Sequence, residues 1–156
     1  MISTLNGSIL ATVRSALESR SIVLGDAREH GGRLTIAELE KIGAYSPAFF
    51  LTVQRIRDVK KYGKDLRQFT VDYGSFVVCT GSADKNRDEQ ALEIVEHLIA
   101  EKRGIIPGNR WEQSFCKAVE HQTVEATNLY SGEAGSQGVA IWGVSWEQFV
   151  DTGLTA

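Results

Sequence analysis

Residues that build metal centres and disulfide frameworks are scarce in this sequence. Its 156 residues include two cysteines and three histidines. His30, His97 and His121 are scattered, and none stands at an HxxxH or CxxC spacing, so the pattern offers no metal-ligand set. Cys79 and Cys116 fall in different predicted strands and read as small buried hydrophobes. A disulfide would need both adjacent strands and an oxidising compartment. Apolar runs are short: none approaches the roughly 20 residues that span a bilayer. The opening residues lack the basic stretch and continuous apolar run of a secretory signal. The sequence therefore predicts folding in a reducing cytoplasm, with no membrane partner. Positive charge is not in excess either. The net charge is −3 and the isoelectric point is near 5.6, which gives no global signal for nucleic acid. There is no GxSxG elbow, and the turn over residues 80–86 has one glycine and no GxxxxGK(S/T) phosphate loop. No catalytic residue, cofactor or metal is assigned.

What is present is a well-patterned α+β chain. A hydrophobic fraction of 42% and a charged fraction of 24% are ordinary for a globular protein. The length suits one domain over residues 1–156, large enough to fold with no staple. Ile2, Leu5, Ile9, Val13 and Leu17 make one apolar stripe and predict a helix over residues 3–19, capped by Ser3 or Thr4. Residues 21–23 read as a short strand and residues 25–33 as a polar loop. Thr35 and Glu38 form a capping box for a short second helix that ends at Gly43. A hairpin over residues 46–80 follows. Its first strand starts at Pro47, its turn lies at Gly63, and Gly74 marks a bulge in its second strand. The strongest helical period covers residues 87–102, with Asn86 as N-cap and Gly104 and Pro107 as stops. A second hairpin spans residues 115–149, with strands at 115–126 and from Val139 onward. The expected order is α(α)ββαββ: a mostly antiparallel sheet of about four strands with helices packed on one face. The tail after Asp151 reads as frayed.

Three features are candidates for function. Arg55, Arg57, Lys60, Lys61, Lys64 and Arg67 stand against only Asp58 and Asp65 at the predicted hairpin end. They read as a solvated tip or a charged protein interface, with phosphate contact as the alternative. Residues 130–138 are rich in glycine and serine, and Tyr130, Ser131 and Glu133 mark a tip that orders on contact with a neighbour. Trp142 and Trp146 share one face of the last strand. Core packing is the plain reading, and an anchor at Trp146 in a subunit interface is the functional one.

The segments SPAFFLTVQRI, FTVDYGSFVVCTGSADKNRDEQALEIVEHLIAEKRG and CKAVEHQTVEATNLYSGEAGSQGVAIWGVSWEQF, preceded by the amphipathic first helix, cover most of the chain. In this order they resemble the tail terminator proteins of tailed bacteriophages, in particular a Mu-like phage tail protein family. The resemblance implies a structural virion protein and not an enzyme. It implies a homo-oligomeric ring, commonly a hexamer, at the head-proximal end of the tail. Its partners would be the tail tube protein, the sheath where there is one, and the head-tail connector. DNA would pass through the lumen without specific binding. The alternatives are a head-completion or neck connector protein, a nucleic-acid-binding module using the basic hairpin, and a small enzyme whose site assembles only in space.

Overall fold

The computed structural model describes residues 1–31, 46–62, 66–80, 86–129 and 139–152. Among these the chain forms two α-helices and one mixed sheet of five strands. Helix α1 is Ile2–Glu18, and helix α2 is Arg87–Ile99. The strands are β1 (Asp26–Glu29), β2 (Ala48–Tyr62), β3 (Leu66–Cys79), β4 (Glu125–Asn128) and β5 (Ala140–Asp151). They lie in the order β1-β2-β3-β5-β4. The predicted second helix from Thr35 to Gly43, the turn at Gly63, the loop over 130–138 and the last four residues lie outside the described residues.

Local signals explain most of these elements. The stripe of α1 buries Leu5, Ile9, Val13 and Leu17, as the spacing predicts. Its N-cap is Met1, with no side-chain cap, so the helix starts a residue before the serine expected to hold it. At α2 the Asn86 side chain accepts a hydrogen bond from Glu89 N–H at 2.9 Å, which satisfies one orphan donor of the first turn. The helix ends at Ile99, ahead of the expected residue 102, because the chain folds straight back. Gly104 N–H donates to the Ala100 carbonyl at 3.1 Å. A Cβ at Gly104 would sit 2.0 Å from that same oxygen, so only glycine fits.

Three strand expectations need correction. The sheet has a fifth strand, β1, and is mixed, since Asp26–Glu29 pairs in parallel with residues 48–51 of β2. This strand falls within the stretch read as a polar loop, while residues 21–23 form no strand. DARE carries no apolar alternation; its extended form comes from pairing with β2, which overrides local propensity. The expected strand over 115–126 narrows to Glu125–Asn128, preceded by a 3₁₀ turn at His121–Thr123 and one bridge between Cys116 and Val150. Its earlier backbone groups are divided between two neighbours. Lys117 N–H donates to the Phe149 carbonyl of β5, whereas Val119 exchanges hydrogen bonds with Gly108 and Asn109. A continuous ladder cannot form from groups facing two ways. Finally, the predicted bulge is real but lies in the partner strand. β3 pairs with β5 without interruption from Gln68 to Cys79, so Phe76 and Val78 face away from Phe69 by simple alternation. The irregularities are in β2, between Val53 and Arg55 and between Arg57 and Lys60. The extra residue, Gln54, lies over Gly74, where a Cβ would meet its Nε2 at 2.5 Å.

Both helices pack on one face of the sheet. Leu5, Ile9 and Val13 of α1 and Ile94, Val95 and Leu98 of α2 meet Phe49, Leu51, Val71, Tyr73, Val77, Val144 and Val150. At the centre Tyr73 stacks on Trp146 at 5.4 Å, and Trp111 tilts against Trp146 at 6.0 Å. Trp146 is 2% exposed, so it belongs to the core and is not the interface anchor that the sequence offered. Two polar groups are threaded through this core. Tyr73 Oη donates to Asn6 Oδ1 at 2.5 Å, and Asn6 Nδ2 donates to Glu29, joining β3, α1 and β1. Trp111 Nε1 donates to Gln148 Oε1 at 2.7 Å, and Gln148 Nε2 donates to the Lys117 carbonyl at 2.7 Å. A smaller apolar cluster of Ala48, Phe50, Val78, Val139 and Ile141 occupies the opposite face at the other end of the sheet.

Two predictions follow from this interior. Trp146 Nε1 is buried with no hydrogen-bond partner among the described residues, whereas Trp111 Nε1 is paired. Trp111→Phe leaves Gln148 Oε1 unsatisfied, at a cost of about 1–3 kcal/mol on top of lost packing. Trp146→Phe removes an orphan donor instead. Chemical denaturation should find the Trp111 variant clearly the less stable; equal loss would contradict the assigned pairing. The second concerns the thiols. Cys79 and Cys116 are unpaired and buried, and burial pushes them up to about 12 and about 11. The unfolded chain ionises them first, so stability falls as pH rises above the ordinary thiol range of about 8.5 toward those values. A thiol reagent at pH 8 should titrate neither residue until denaturant is added.

Candidate functional site

The β2–β3 hairpin is longer than the layers that cover it. β1 protects the outer edge of β2 only along residues 48–51, and His30 N–H extends the pairing with one bond to the Leu51 carbonyl at 2.8 Å. Beyond Thr52 no described residue pairs with that edge. β2 itself runs on to Tyr62, straight through the basic stretch that the sequence places at a turn. The open half is broken by the two bulges, and Asp58 sits at φ +55°. Bulges and lysines at an edge are the usual guards against indiscriminate strand pairing.

The helix layer also stops short. α1 begins at Ile2, and beyond it no described helix covers the helix-side face of the hairpin. A groove of about 530 Å³ lies there, lined by Met1, Ile56, Val59 and Phe69 with Arg67 at its rim. Ile56 is 46% exposed and Val59 57%, a large exposure for branched aliphatics side by side. Lys61 is the cross-strand partner of Arg67, so it shares that face.

The opposite face of the same hairpin is an ion-pair ladder. Arg55 Nε reaches Asp72 Oδ2 at 2.8 Å, and Arg57 Nε reaches the same oxygen at 3.0 Å. Arg57 also spans to Glu147 on β5 at 2.6 Å and to Asp58 at 2.8 Å. Beside them Lys117 Nζ sits 4.7 Å over the Phe149 ring. Burial pushes the Asp72 carboxyl up, but hydrogen bonds from Arg57 and Arg55 outweigh it and hold it below 3.8. The hydrogen bond to Asp72 raises Arg57 in turn.

The basic cluster read from the sequence is therefore two populations. Arg55 and Arg57 are neutralised by carboxylates on the neighbouring strands. Lys60, Lys61 and Arg67 are exposed, with no ion pair among the described residues. Lys64, Tyr130, Ser131 and Glu133 lie outside the described residues. Sequence reasoning missed the exposed Ile56–Val59 pair. The signal was there, since both interrupt a run of charges, but the bulges that bring them to the groove break the period of two that would have assigned their faces. Among the described residues no group of three or more His, Cys, Asp or Glu side chains is placed to hold a metal ion. No described helix is long and apolar enough to cross a membrane.

The sign of the Asp72 effect gives a test. An unfolded Asp takes up its proton at a higher pH than the folded one, so the ladder's stabilisation is present above pH 3.8 and is lost as pH falls through the lower folded value. Asp72→Asn should flatten that acid limb. At neutral pH it should cost about 1 kcal/mol or less, the range for solvent-accessible ion pairs. Thermal melts of both proteins from pH 2 to 7 would show it, and parallel curves would remove Asp72 as the titrating group. No protein-family model matches the sequence, and no curated protein is similar enough to it to count as a relative.

Proposed function

We propose that the chain is a virion assembly protein of the tail-terminator type. On this reading it is a ring subunit, six to a ring, at the head-proximal end of a phage tail. The ring stops tube polymerisation and presents a second surface to the head-tail connector. It carries out no reaction and needs no cofactor. The observation that supports the reading most is the unfinished end of the hairpin. There a strand edge and cations that have no partner among the described residues lie together with an open apolar groove. Such an end suits a surface completed by another chain. A contact between two different surfaces of one subunit generates a ring when the rotation closes.

The division of charge favours protein contact over nucleic acid. Two of the cluster's arginines are held by Asp72 and Glu147, which leaves Lys60, Lys61 and Arg67 as its described cations able to meet phosphates, in a chain whose net charge is −3. DNA passing through such a ring would meet no dedicated binding site.

The test is electron microscopy and mass measurement of the purified protein, alone and with its tail tube protein. Rings that cap tubes at one end and limit their length are the expected result. Rings that bind only the connector would move the assignment to the neck. Steeply salt-dependent DNA binding by the isolated chain, with neither rings nor capping, would overturn both.

A further inference from the structure

α2 carries on its outer side the counterpart of this groove. The helix buries Ala91, Ile94, Val95 and Leu98. Leu92 points the other way and is 43% exposed. Asp88 and Glu96 lie four residues before and after Leu92, and Glu89 lies three before it, so all three flank it on one helical face. All three are exposed, and none has an ion pair among the described residues. A lone aliphatic side chain ringed by carboxylates is thus presented on one surface. An apolar groove bordered by Arg67, with Lys61 beside it as the cross-strand partner of Arg67, is presented on another.

We infer that the groove at the end of the β2–β3 hairpin receives the outer face of α2 from a second copy of this chain. Leu92 enters between Ile56 and Val59, and Asp88, Glu89 and Glu96 meet Arg67 and Lys61. The occupant is a second copy because each surface has what the other lacks: a protruding apolar group against an apolar hollow, and unpaired anions against unpaired cations. Burying the two together removes exposed aliphatic surface and brings opposite charges together at the rim, where they govern orientation and rate of encounter more than affinity. The two surfaces lie on different elements, so the contact is head-to-tail. Repetition leads to a closed ring or a filament and not to a two-fold dimer. The inference rests on the assembly reading above for its setting, and it adds the two surfaces that meet.

The experiment uses cysteine trapping with charge exchange. The native thiols are buried and stay silent under mild oxidation. The double variant Val59→Cys with Leu92→Cys should oxidise to a ladder extending beyond dimers, or to a covalent ring. Either single variant should give far less cross-link. By sedimentation, Lys61→Glu with Arg67→Glu should weaken self-association at least about tenfold, and so should Glu89→Lys with Glu96→Lys. Combining all four reversals should restore it, which also shows that the parent variants were folded. A wild-type chain that stays monomeric at high concentration would overturn the inference. So would a double-cysteine variant that yields no cross-link or only dimers, or reversals that leave association unchanged. Rings that cap tubes without a cross-link between positions 59 and 92 would refute this contact alone. A cross-linked ladder that caps nothing would refute the terminator reading alone.

Discussion

Everything in this molecule is referred to β3. It is the central strand, paired along its length with β2 on one side and β5 on the other. Its alternate residues supply both faces at once. Tyr73 on the helix side stacks on Trp146 and hydrogen-bonds Asn6 of α1, while its neighbour Asp72 anchors the arginines of β2 on the far side. One register therefore fixes the aromatic core and the ion-pair ladder together. A slip by one residue would exchange tyrosine for aspartate under the helices, which no local adjustment could accommodate.

The helix layer depends on that register through a few polar threads. Asn6 interrupts the apolar stripe of α1, and its cost is offset because it bridges Tyr73 and Glu29. Gln148 does the same among the tryptophans, tying the Trp111 indole to the Lys117 backbone. Trp111 itself holds φ +56° and Glu112 φ +59°, a backbone that non-glycine residues rarely adopt. The chain accepts it where the indole gains a buried partner and the Trp111 N–H is received by Asn109 Oδ1 at 2.7 Å.

How much of this is written in the sequence varies with how local its cause is. The helices were legible because their stripes and the Asn86 cap lie within a few residues. The long strands were legible from β-branched and aromatic residues, and the thiols were read correctly as buried hydrophobes. β1 was not, because its four polar residues owe their strand form to a distant partner. The broken strand before β4 was not, because its hydrogen bonds divide between β5 and the loop around Asn109. At the candidate surface the cations were visible, but their neutralisation was not. Asp72 is far from Arg57 in sequence, and only the bulged register brings both arginines to one carboxylate. Glycine 74 announced an irregularity correctly and located it on the wrong strand, since a glycine marks where a backbone must be approached, and the approaching residue sits opposite.

That irregularity has a consequence for how such a chain can vary. Before the first bulge the odd-numbered residues of β2, Phe49 and Leu51, lie under the helices; after it an even-numbered one, Ile56, takes the helix side of the sheet, paired with Val71 but exposed in the groove. Gln54 acts as a spacer that resets the parity of the strand. Many side chains could stand there without disturbing the sheet. The loss of a single residue could not be absorbed. It would turn the end of the hairpin over, sending Arg55 and Arg57 toward the helix side and Ile56 into the ladder. At this point in the fold the length of the chain is constrained more tightly than its chemistry, and lineages descending from it would be free to substitute here but not to delete.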